Sequence, residues 1–190
     1  QALPCGFSTT DVNADDNTWE ARATVPTQTN PNLPVGNGGS GNAMVYFYNE
    51  DGTTPANDWF YTPALRLTGG RAYRLSFSYR SSGTSYREGL EVKYGAAATP
   101  AGQTNTLFTN TNITNAAYAP AAGVTDITPA TTGTYYIGFH ATSPADQFFL
   151  AVDDVVVTEV LASSAALTRA LSVYPNPSNS GQFNLEVRGA

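Results

Sequence analysis

The sequence of 190 residues predicts an all-β protein, an antiparallel two-sheet β-sandwich of the jelly-roll type with a short hairpin-like extension at the C-terminal end. Apolar and polar residues alternate with a period of two in several runs, which is the pattern of a strand with one wet face. Clusters rich in Gly, Asn, Asp, Ser and Thr separate these runs at short intervals, as the turns of a sandwich or barrel do. No run shows a convincing helical period.

Three runs alternate cleanly along the chain: 71–80 (RAYRLSFSYR), 90–94 (LEVKY) and 134–141 (TYYIGFHA). In the first of them, tyrosine, leucine and phenylalanine point one way while arginine and serine point the other. Two further runs, 43–48 (AMVYFY) and 148–157 (FFLAVDDVVV), are apolar on both faces. This pattern favours central strands that are covered by a second layer.

Three segments of different composition divide the chain. The strands and turns indicate one jelly-roll binding domain at 1–160, and an Ala- and Ser-rich stretch at 161–170 is typical of a linker. The last segment, 171–190, starts a strand, breaks at Pro-Asn-Pro and starts a second strand. Because Pro175 and Pro177 cannot continue a ladder of hydrogen bonds, we expect the chain to turn there.

Composition and charge exclude several classes of function. Charged residues make up 13% of the chain, the net charge is −6 and the basic residues are scattered, so no nucleic-acid partner is expected. No run approaches the roughly 18 apolar residues of a membrane span, and the single cysteine, Cys5, allows no intrachain disulfide. The one histidine, His140, lies on the polar side of its run, and hydrolase, metalloprotease and P-loop motifs do not occur. We therefore predict that the protein is not an enzyme.

The final run, LSVYPNPSNSGQFNLEV (171–187), resembles the start of the C-terminal sorting domain of type IX secretion cargo. That family opens with a short strand, a Tyr-Pro-Asn-Pro turn, a Gly turn and a second strand, which correspond here to 171–173, 174–177, Gly181 and 183–187. The resemblance implies export from a Gram-negative bacterium by the type IX machinery. Because the family's domain has several more strands, we expect this segment to be its truncated beginning; the alternative is a final hairpin of the sandwich.

Most of residues 5–158 is similar to the cleaved-adhesin and choice-of-anchor jelly-roll modules, which are related in shape to MAM domains. Three runs carry the resemblance: 5–20 (CGFSTTDVNADDNTWE), 57–67 (NDWFYTPALRL) and the strand 148–157 with its paired acids. The second run matches a D-W-[LF]-x-T-P-x-L motif and is the most specific of the three. The resemblance implies a secreted or cell-surface module that adheres to another molecule.

Acidic residues in two of these runs predict a calcium site. Adjacent residues of a strand face opposite sides, so one of Asp153 and Asp154 shares a face with apolar neighbours and needs a hydrogen-bond or metal partner. The first and last strands of a jelly roll usually lie close together, so we expect the loop of Asp11, Asp15 and Asp16 to approach this pair. Oxygen ligands without His or Cys suit Ca²⁺, and the resemblance implies a structural calcium between the same segments. The alternative is that Asp153 accepts backbone N–H bonds and the loop is solvated.

For ligand binding, the sequence offers tyrosines in loops, because a tyrosine ring combines an apolar face with a polar edge. Tyr86 and Tyr118 are the candidates. The predicted function is a non-catalytic binding or adhesion module, secreted or at the cell surface, with a glycan or an extracellular protein as its partner. The alternatives are a structural spacer in a larger exported protein and a polysaccharide hydrolase, whose paired carboxylates no motif would reveal.

Overall fold

The computed structural model describes residues 3–160, 171–174 and 184–187, and its architecture confirms the predicted fold class. The strands are, in chain order, β1 (Ser8–Asp11), β2 (Glu20–Arg22), β3 (Thr24–Val25), β4 (Leu33–Pro34), β5 (Ala43–Phe47), β6 (Asp58–Tyr61), β7 (Leu65–Leu67), β8 (Tyr73–Ser81), β9 (Glu88–Gly95), β10 (Asn105–Ile113), β11 (Ala119–Pro120), β12 (Gly133–Ala141), β13 (Phe149–Glu159), β14 (Leu171–Tyr174) and β15 (Asn184–Val187). The helical segments among the described residues are two single 3₁₀ turns, Asn37–Gly39 and Pro100–Gly102. The described part of the chain contains no helix with the length and apolar character needed to cross a membrane.

Two antiparallel sheets form the body. One has the order β1-β6-β12-β9-β10, with β7 paired to the first half of β12, and the other has the order β11-β8-β13-β5-β2. Consecutive strands therefore often lie in different sheets, as a jelly roll requires. The strand β1 lies at an edge of the first sheet, whereas β13 lies at the centre of the second.

Aromatic side chains fill the space between the sheets. Phe60 of β6 and Phe139 of β12 stack with their centroids 4.4 Å apart, and Phe77 of β8 meets Phe139 edge to face at 5.3 Å. Trp19 enters the same core from the chain before β2 and meets Phe60 at 4.8 Å. Each of these rings is at most 2% exposed. Burying such a side chain contributes about 1.5–3 kcal/mol, and truncating Phe139 to alanine is expected to cost about 3–5 kcal/mol.

A second, smaller core lies against the five-stranded sheet. It joins Val45 of β5 and Ala151 of β13 to Val25 and Val35, which belong to or follow the short β3–β4 pair. All four residues are at most 1% exposed. The strand β5 and the first half of β13, residues 149–152, are therefore covered on both sides as predicted, whereas the second half of β13 alternates and leaves Val156 49% exposed.

The alternation of β13 is interrupted at its paired acids. The register between β13 and β8 shifts between Asp153 and Val156, and Asp154 has a φ of 54°, in the left-handed region. Such a bulge rotates the side chains relative to a regular strand. Consequently neither carboxylate is buried: Asp153 is half-buried and Asp154 is exposed.

Residues 160–190 separate from the body as a second compact unit. Within it β14 and β15 pair as antiparallel strands, with Leu171 opposite Val187 and Tyr174 opposite Asn184. The predicted linker 161–170, the Pro175–Pro177 turn and Gly181 lie outside the described residues.

Candidate functional site

Three carboxylates converge at one end of the body. Oxygen atoms of Asp11, Asp15 and Asp58 all lie within 4.8 Å of one another. Strand pairing brings two of them together, because Asp11 ends β1 and Asp58 begins β6 directly opposite it. We call these three residues the acidic cluster.

The loop after β1 folds back to supply the third carboxylate. The Asp11 side chain accepts hydrogen bonds from the backbone N–H groups of Asp15 at 3.3 Å and Asp16 at 3.0 Å. Ala14 and Asp16 have φ values of 55° and 62°, which tighten this turn. The Asp15 carboxylate in turn accepts from the backbone N–H of Asn17 at 2.9 Å. The acidic cluster therefore rests on a turn that is held by its own side chains.

Asp58 is the unusual member, because its side chain is fully buried. The hydrogen bonds that its carboxylate accepts from described residues are long: they come from the backbone N–H groups of Val12 at 3.3 Å and Asn57 at 3.4 Å. Burial, with the nearby charges of Asp15 and Asp11, raises the pKa of Asp58 to about 6, although the Tyr46 hydroxyl opposes this rise. A buried carboxylate in such surroundings is destabilising unless a proton or a cation neutralises it.

Neutral groups make the hydrogen bonds to the acidic cluster among the described residues. Two amides donate to the Asp15 carboxylate, from Asn13 at 2.8 Å and from Asn49 at 3.1 Å. The Tyr46 hydroxyl is buried and faces Asp58, close enough to oppose the rise in the Asp58 pKa, but it forms no hydrogen bond of regular geometry with the described residues. Desolvation and the neighbouring carboxylates raise the pKa of Tyr46 above its usual range. The carboxylate oxygens of the acidic cluster are the ligand type that calcium prefers.

The sequence-based candidates for metal binding divide into two groups. Asp11 and Asp15 belong to the acidic cluster, while Asp16 contributes its backbone and has an exposed side chain. Asp153 and Asp154 lie elsewhere: they accept from the backbone N–H and side-chain amide of Asn37, at 2.8 and 2.6 Å. The sequence predicted that the loop would approach the Asp153–Asp154 pair. The structure instead places the loop beside Asp58 and the pair beside Asn37.

The reason for this correction is the position along the strand. The loop contacts the chain around Phe47, whose backbone carbonyl accepts from the Asn17 amide, and Phe47 pairs with Phe149. Asp153 is four residues further along β13, which is about 13 Å at the usual strand rise. The third carboxylate beside Asp11 and Asp15 is therefore that of Asp58, and not that of Asp153. The sequence held a signal for Asp58, since it is the acid of the D-W-[LF]-x-T-P motif, but its pairing with Asp11 was needed to reveal its role.

The two candidate tyrosines for ligand binding have different surroundings. Tyr118 is half-buried, and its hydroxyl donates to the backbone carbonyl of Val35 while the Arg80 guanidinium lies 5.8 Å from its ring. Burial, followed by the charge of Asp153, raises the pKa of the Tyr118 hydroxyl. These contacts make Tyr118 a packing residue. Tyr86, in contrast, is 41% exposed.

Tyr86 lines a groove of about 580 Å³ at one end of the body. Three loops form this groove: the β3–β4 loop, the β8–β9 loop and the β12–β13 loop. Tyr48, which directly follows β5, also lines it. We call it the aromatic groove, and its residues are Pro26, Thr27, Gln28, Thr29, Asn30, Leu33, Tyr48, Ser82, Ser85, Tyr86, Asp146, Gln147, Phe148 and Phe149. A groove of this size lies within the range of about 300–1,000 Å³ that small-ligand sites occupy.

His140 is a packing residue by its contacts. Its ring stacks on Trp59 with centroids 4.3 Å apart, and its Nε2 atom lies 2.9 Å from the Asn57 side-chain oxygen. Burial lowers the pKa of His140, although Glu91 opposes the change. The histidine is thus half-buried rather than a free surface residue.

Comparison with solved structures identifies proteins of the same architecture. The K1 cleaved adhesin domain of Lys-gingipain from Porphyromonas gingivalis W83 is similar with a TM-score of 0.65 and 18% identity, over 84% of this chain and 94% of that chain. The K3 cleaved adhesin domain of the same protein has a TM-score of 0.61 and 20% identity, over 82% and 92% of the two chains. The C-terminal family 22 carbohydrate-binding module of Xyn10B from Clostridium thermocellum has a TM-score of 0.50 and 10% identity, over 82% and 86%.

No protein-family model and no curated protein matches the chain. At these levels of identity the structural likeness concerns the fold alone. The resemblance seen in the sequence is thereby confirmed at the level of the fold: the body is a β-sandwich like those of cleaved adhesin domains and carbohydrate-binding modules.

Proposed function

We propose that the chain is a non-catalytic binding module, secreted or at the cell surface, that recognises a glycan or an extracellular protein and is stabilised by calcium. The observation that carries this proposal is the aromatic groove, which is open to solvent and combines aromatic rings with hydrogen-bonding side chains. Concave sites of that composition are typical of ligand binding. The adhesin and carbohydrate-binding modules that share the fold support the same function.

The carboxylates favour binding over hydrolysis. A glycosidase needs two carboxyl groups about 5–10 Å apart across a cleft. Among the described residues that line the aromatic groove, one is acidic, Asp146. The acidic cluster has carboxylates within 4.8 Å of one another, and one of them, Asp58, is fully buried away from any substrate. Neither region offers the paired geometry of that reaction.

Calcium would neutralise the acidic cluster. Asp58 and Asp15 would supply carboxylate oxygens, with Asp11 beside them, and the ion would offset the charge that burial makes costly at Asp58. The same ion would join the loop after β1 to the start of β6. Its role would therefore be to hold two segments of the fold together.

Thermal unfolding with calcium and with excess chelator tests this part of the proposal. For a dissociation constant of about 10⁻³ to 10⁻⁴ M, calcium at about 10 mM should raise the free energy of unfolding by about 1.4–2.7 kcal/mol, or several degrees in the midpoint. Asp15→Asn should lose this shift. Asp16→Asn is the matched control in the same loop and should keep it, because the Asp16 side chain lies outside the acidic cluster. Equal midpoints of the wild type in calcium and chelator would remove the metal.

The ligand is tested with a glycan array and with a pull-down on extracellular matrix proteins. We expect the calcium-loaded protein to bind in at least one of the two assays. Absence of binding in both would contradict the binding function and favour a structural spacer.

Export through the type IX machinery is the remaining part of the proposal. The Tyr-Pro-Asn-Pro motif in the sequence and the antiparallel pairing of β14 with β15 support it. Deletion from Leu171 onward in the full-length gene, expressed in a host with this machinery, should retain the protein in the periplasm. Replacement of residues 161–170 by a neutral linker is the control and should leave export intact.

A further inference from the structure

We propose that the aromatic groove binds a short, uncharged oligosaccharide by packing a sugar ring against Tyr86 and Phe148. This inference rests on the proposed binding function and narrows it to one ligand class at one place. A pyranose ring has an apolar face of C–H groups and a rim of hydroxyl groups. Its binding site therefore needs an aromatic surface and fixed hydrogen-bonding groups beside it.

The aromatic surface is built around Phe148. Its ring lies next to four other rings, with centroid distances of 5.4 Å to Phe149, 5.6 Å to Phe47, 5.7 Å to Tyr86 and 6.2 Å to Tyr48. Such tilted and edge-to-face pairs hold one another in place. The surface is therefore a rigid cluster with Tyr86 at its exposed end.

The backbone of Phe148 is also fixed. Its N–H donates to the carboxylate of Glu88 at 2.9 Å, and its carbonyl accepts from the N–H of Tyr48 at 3.0 Å. Glu88 is 1% exposed, and burial raises its pKa. A buried side chain that anchors the centre of a partly exposed aromatic cluster reduces the ordering cost of ligand binding.

Tyr86 supplies the part of the surface that a ligand can reach. Val12, Tyr86 and Val156 are the large apolar residues that stand out as exposed in the described structure. Of these, Tyr86 alone lines a groove and alone carries a ring. An exposed ring that is supported from behind by Phe148 has a free face to offer to an incoming ligand.

The wall of the aromatic groove that the β3–β4 loop forms is polar, and hydrogen bonds hold its turn in place. In the β3–β4 loop, the Thr27 hydroxyl donates to the carbonyl of Asn30 at 3.0 Å and accepts from the Asn30 N–H at 2.8 Å. This closed turn presents Gln28 and Thr29 at the groove, and both are exposed. Across the groove, Ser85 is also exposed. Amide and hydroxyl groups of this kind both donate and accept, as a rim of sugar hydroxyls requires.

Charge decides between neutral and acidic sugars. The charged residue that the described lining contains is Asp146, which is exposed and makes no ion pair within the described structure. The protein as a whole carries a net charge of −6. The described lining contains no cation to receive a uronic acid, sialic acid or sulfated sugar, and the nearby Arg22 and Arg80 guanidinium groups lie over the rings of Phe47 and Phe149. The Asp146 carboxylate, in contrast, can accept hydrogen bonds from neutral sugar hydroxyls.

The experiment is a glycan array with neutral and acidic glycans, followed by calorimetric titration of the best neutral oligosaccharide. The calcium-loaded wild type should bind neutral glycans and not acidic ones. Tyr86→Ala should weaken binding by roughly tenfold, whereas Tyr86→Phe should stay within about threefold, because it keeps the ring. Val156→Ala is the matched control: it removes an exposed apolar side chain outside the groove and should leave the affinity unchanged. Asp146→Lys should weaken neutral binding and admit acidic glycans.

The outcomes separate this inference from the function on which it rests. Binding to a matrix protein or to acidic glycans alone overturns the inference while the binding function stands. Neutral-glycan binding that Tyr86→Ala leaves unchanged also overturns it, since the ligand then lies elsewhere. Absence of binding to any glycan or matrix protein contradicts the binding function itself. Because Tyr86 is partly exposed and lies at the end of the aromatic cluster, its truncation should lower the unfolding midpoint by only a few degrees, and a cooperative transition confirms that each variant is folded.

Discussion

The body has two acidic regions, and they differ in how their carboxylates are satisfied. At the Asp153–Asp154 pair, the strand bulges and Asn37 donates to both side chains. At the acidic cluster, Asp58 is fully buried and accepts two long hydrogen bonds from the described part of the chain. In the first region, hydrogen bonds from Asn37 satisfy both carboxylates. In the second region, the buried charge of Asp58 needs a proton or a cation to neutralise it.

This difference shows that acids adjacent in the sequence need not be the ones that converge in the structure. The two acids of β13 are next to each other and could have formed a shared site, but a bulge places both within reach of one asparagine. Asp11 and Asp58 are far apart in the chain and become direct partners in the β1–β6 ladder. Convergence of charge in space, together with burial, distinguishes the acidic cluster.

The largest effect is expected from Asp58→Asn. At pH 7 in excess chelator, this change should raise the free energy of unfolding by up to roughly 3 kcal/mol, because it removes a buried charge whose pKa is raised from 3.8 to about 6. In calcium this advantage should shrink by about 1.4–2.7 kcal/mol, because the variant loses a metal ligand and with it the stabilisation by calcium. Chemical denaturation of both proteins in both buffers measures the change. A variant that is less stable than the wild type in both buffers would show that Asp58 is a structural acceptor and not a ligand.

The next effect is a pH dependence of the calcium-free protein. The pKa of Asp58 is higher in the folded state, at about 6, than its ordinary value of 3.8, so the folded state binds the proton first. The stability cost of the ionised group is therefore full above pH 6, falls as the pH drops, and disappears below about 3.8. We expect the wild type to gain stability from pH 7 toward pH 5 in chelator.

Asp58→Asn provides the control for this titration and should lack the gain. In calcium this gain should shrink, because protons compete with the metal for the carboxylate and the stabilisation by calcium falls as the pH drops. Urea unfolding at four or five pH values measures both curves. Parallel curves for the wild type and the variant would contradict the raised pKa.

The smallest effect is expected at the other acidic region. Asp154 has a left-handed φ of 54°, which glycine adopts freely and alanine does not. Asp154→Ala should therefore be less stable than Asp154→Gly by about 1 kcal/mol, although both lose the hydrogen bond from Asn37. Neither change should alter the response to calcium. A loss of that response in Asp154→Gly would place the metal at this region instead.

The sequence predicted the sandwich because the relevant physics is local. A period of two at 71–80 corresponds to β8, and the two-sided apolar runs correspond to β5 and β13, which lie inside the five-stranded sheet. Turn-forming residues between the runs limited each strand to a short length. These features depend only on neighbours within a few positions.

The candidate sites were predicted in part. Asp11 and Asp15 lie in the acidic cluster, and Tyr86 lies in the aromatic groove, because exposed loops rich in Asp or carrying a lone tyrosine are visible in the sequence. Asp58 and Phe148 were not assigned a role. Each sits in a run that looks like an ordinary strand, and its importance arises from what lies across from it.

The amino-acid sequence by itself therefore determined the fold class, the strands and the loops that carry polar chemistry, since hydrophobic period and turn propensity are properties of short segments. Only the tertiary structure decided which carboxylates meet, which one is buried and which aromatic rings support Tyr86. The reason is that pairing partners and burial depend on residues distant in the chain, and a single bulge at Asp154 is enough to redirect two side chains.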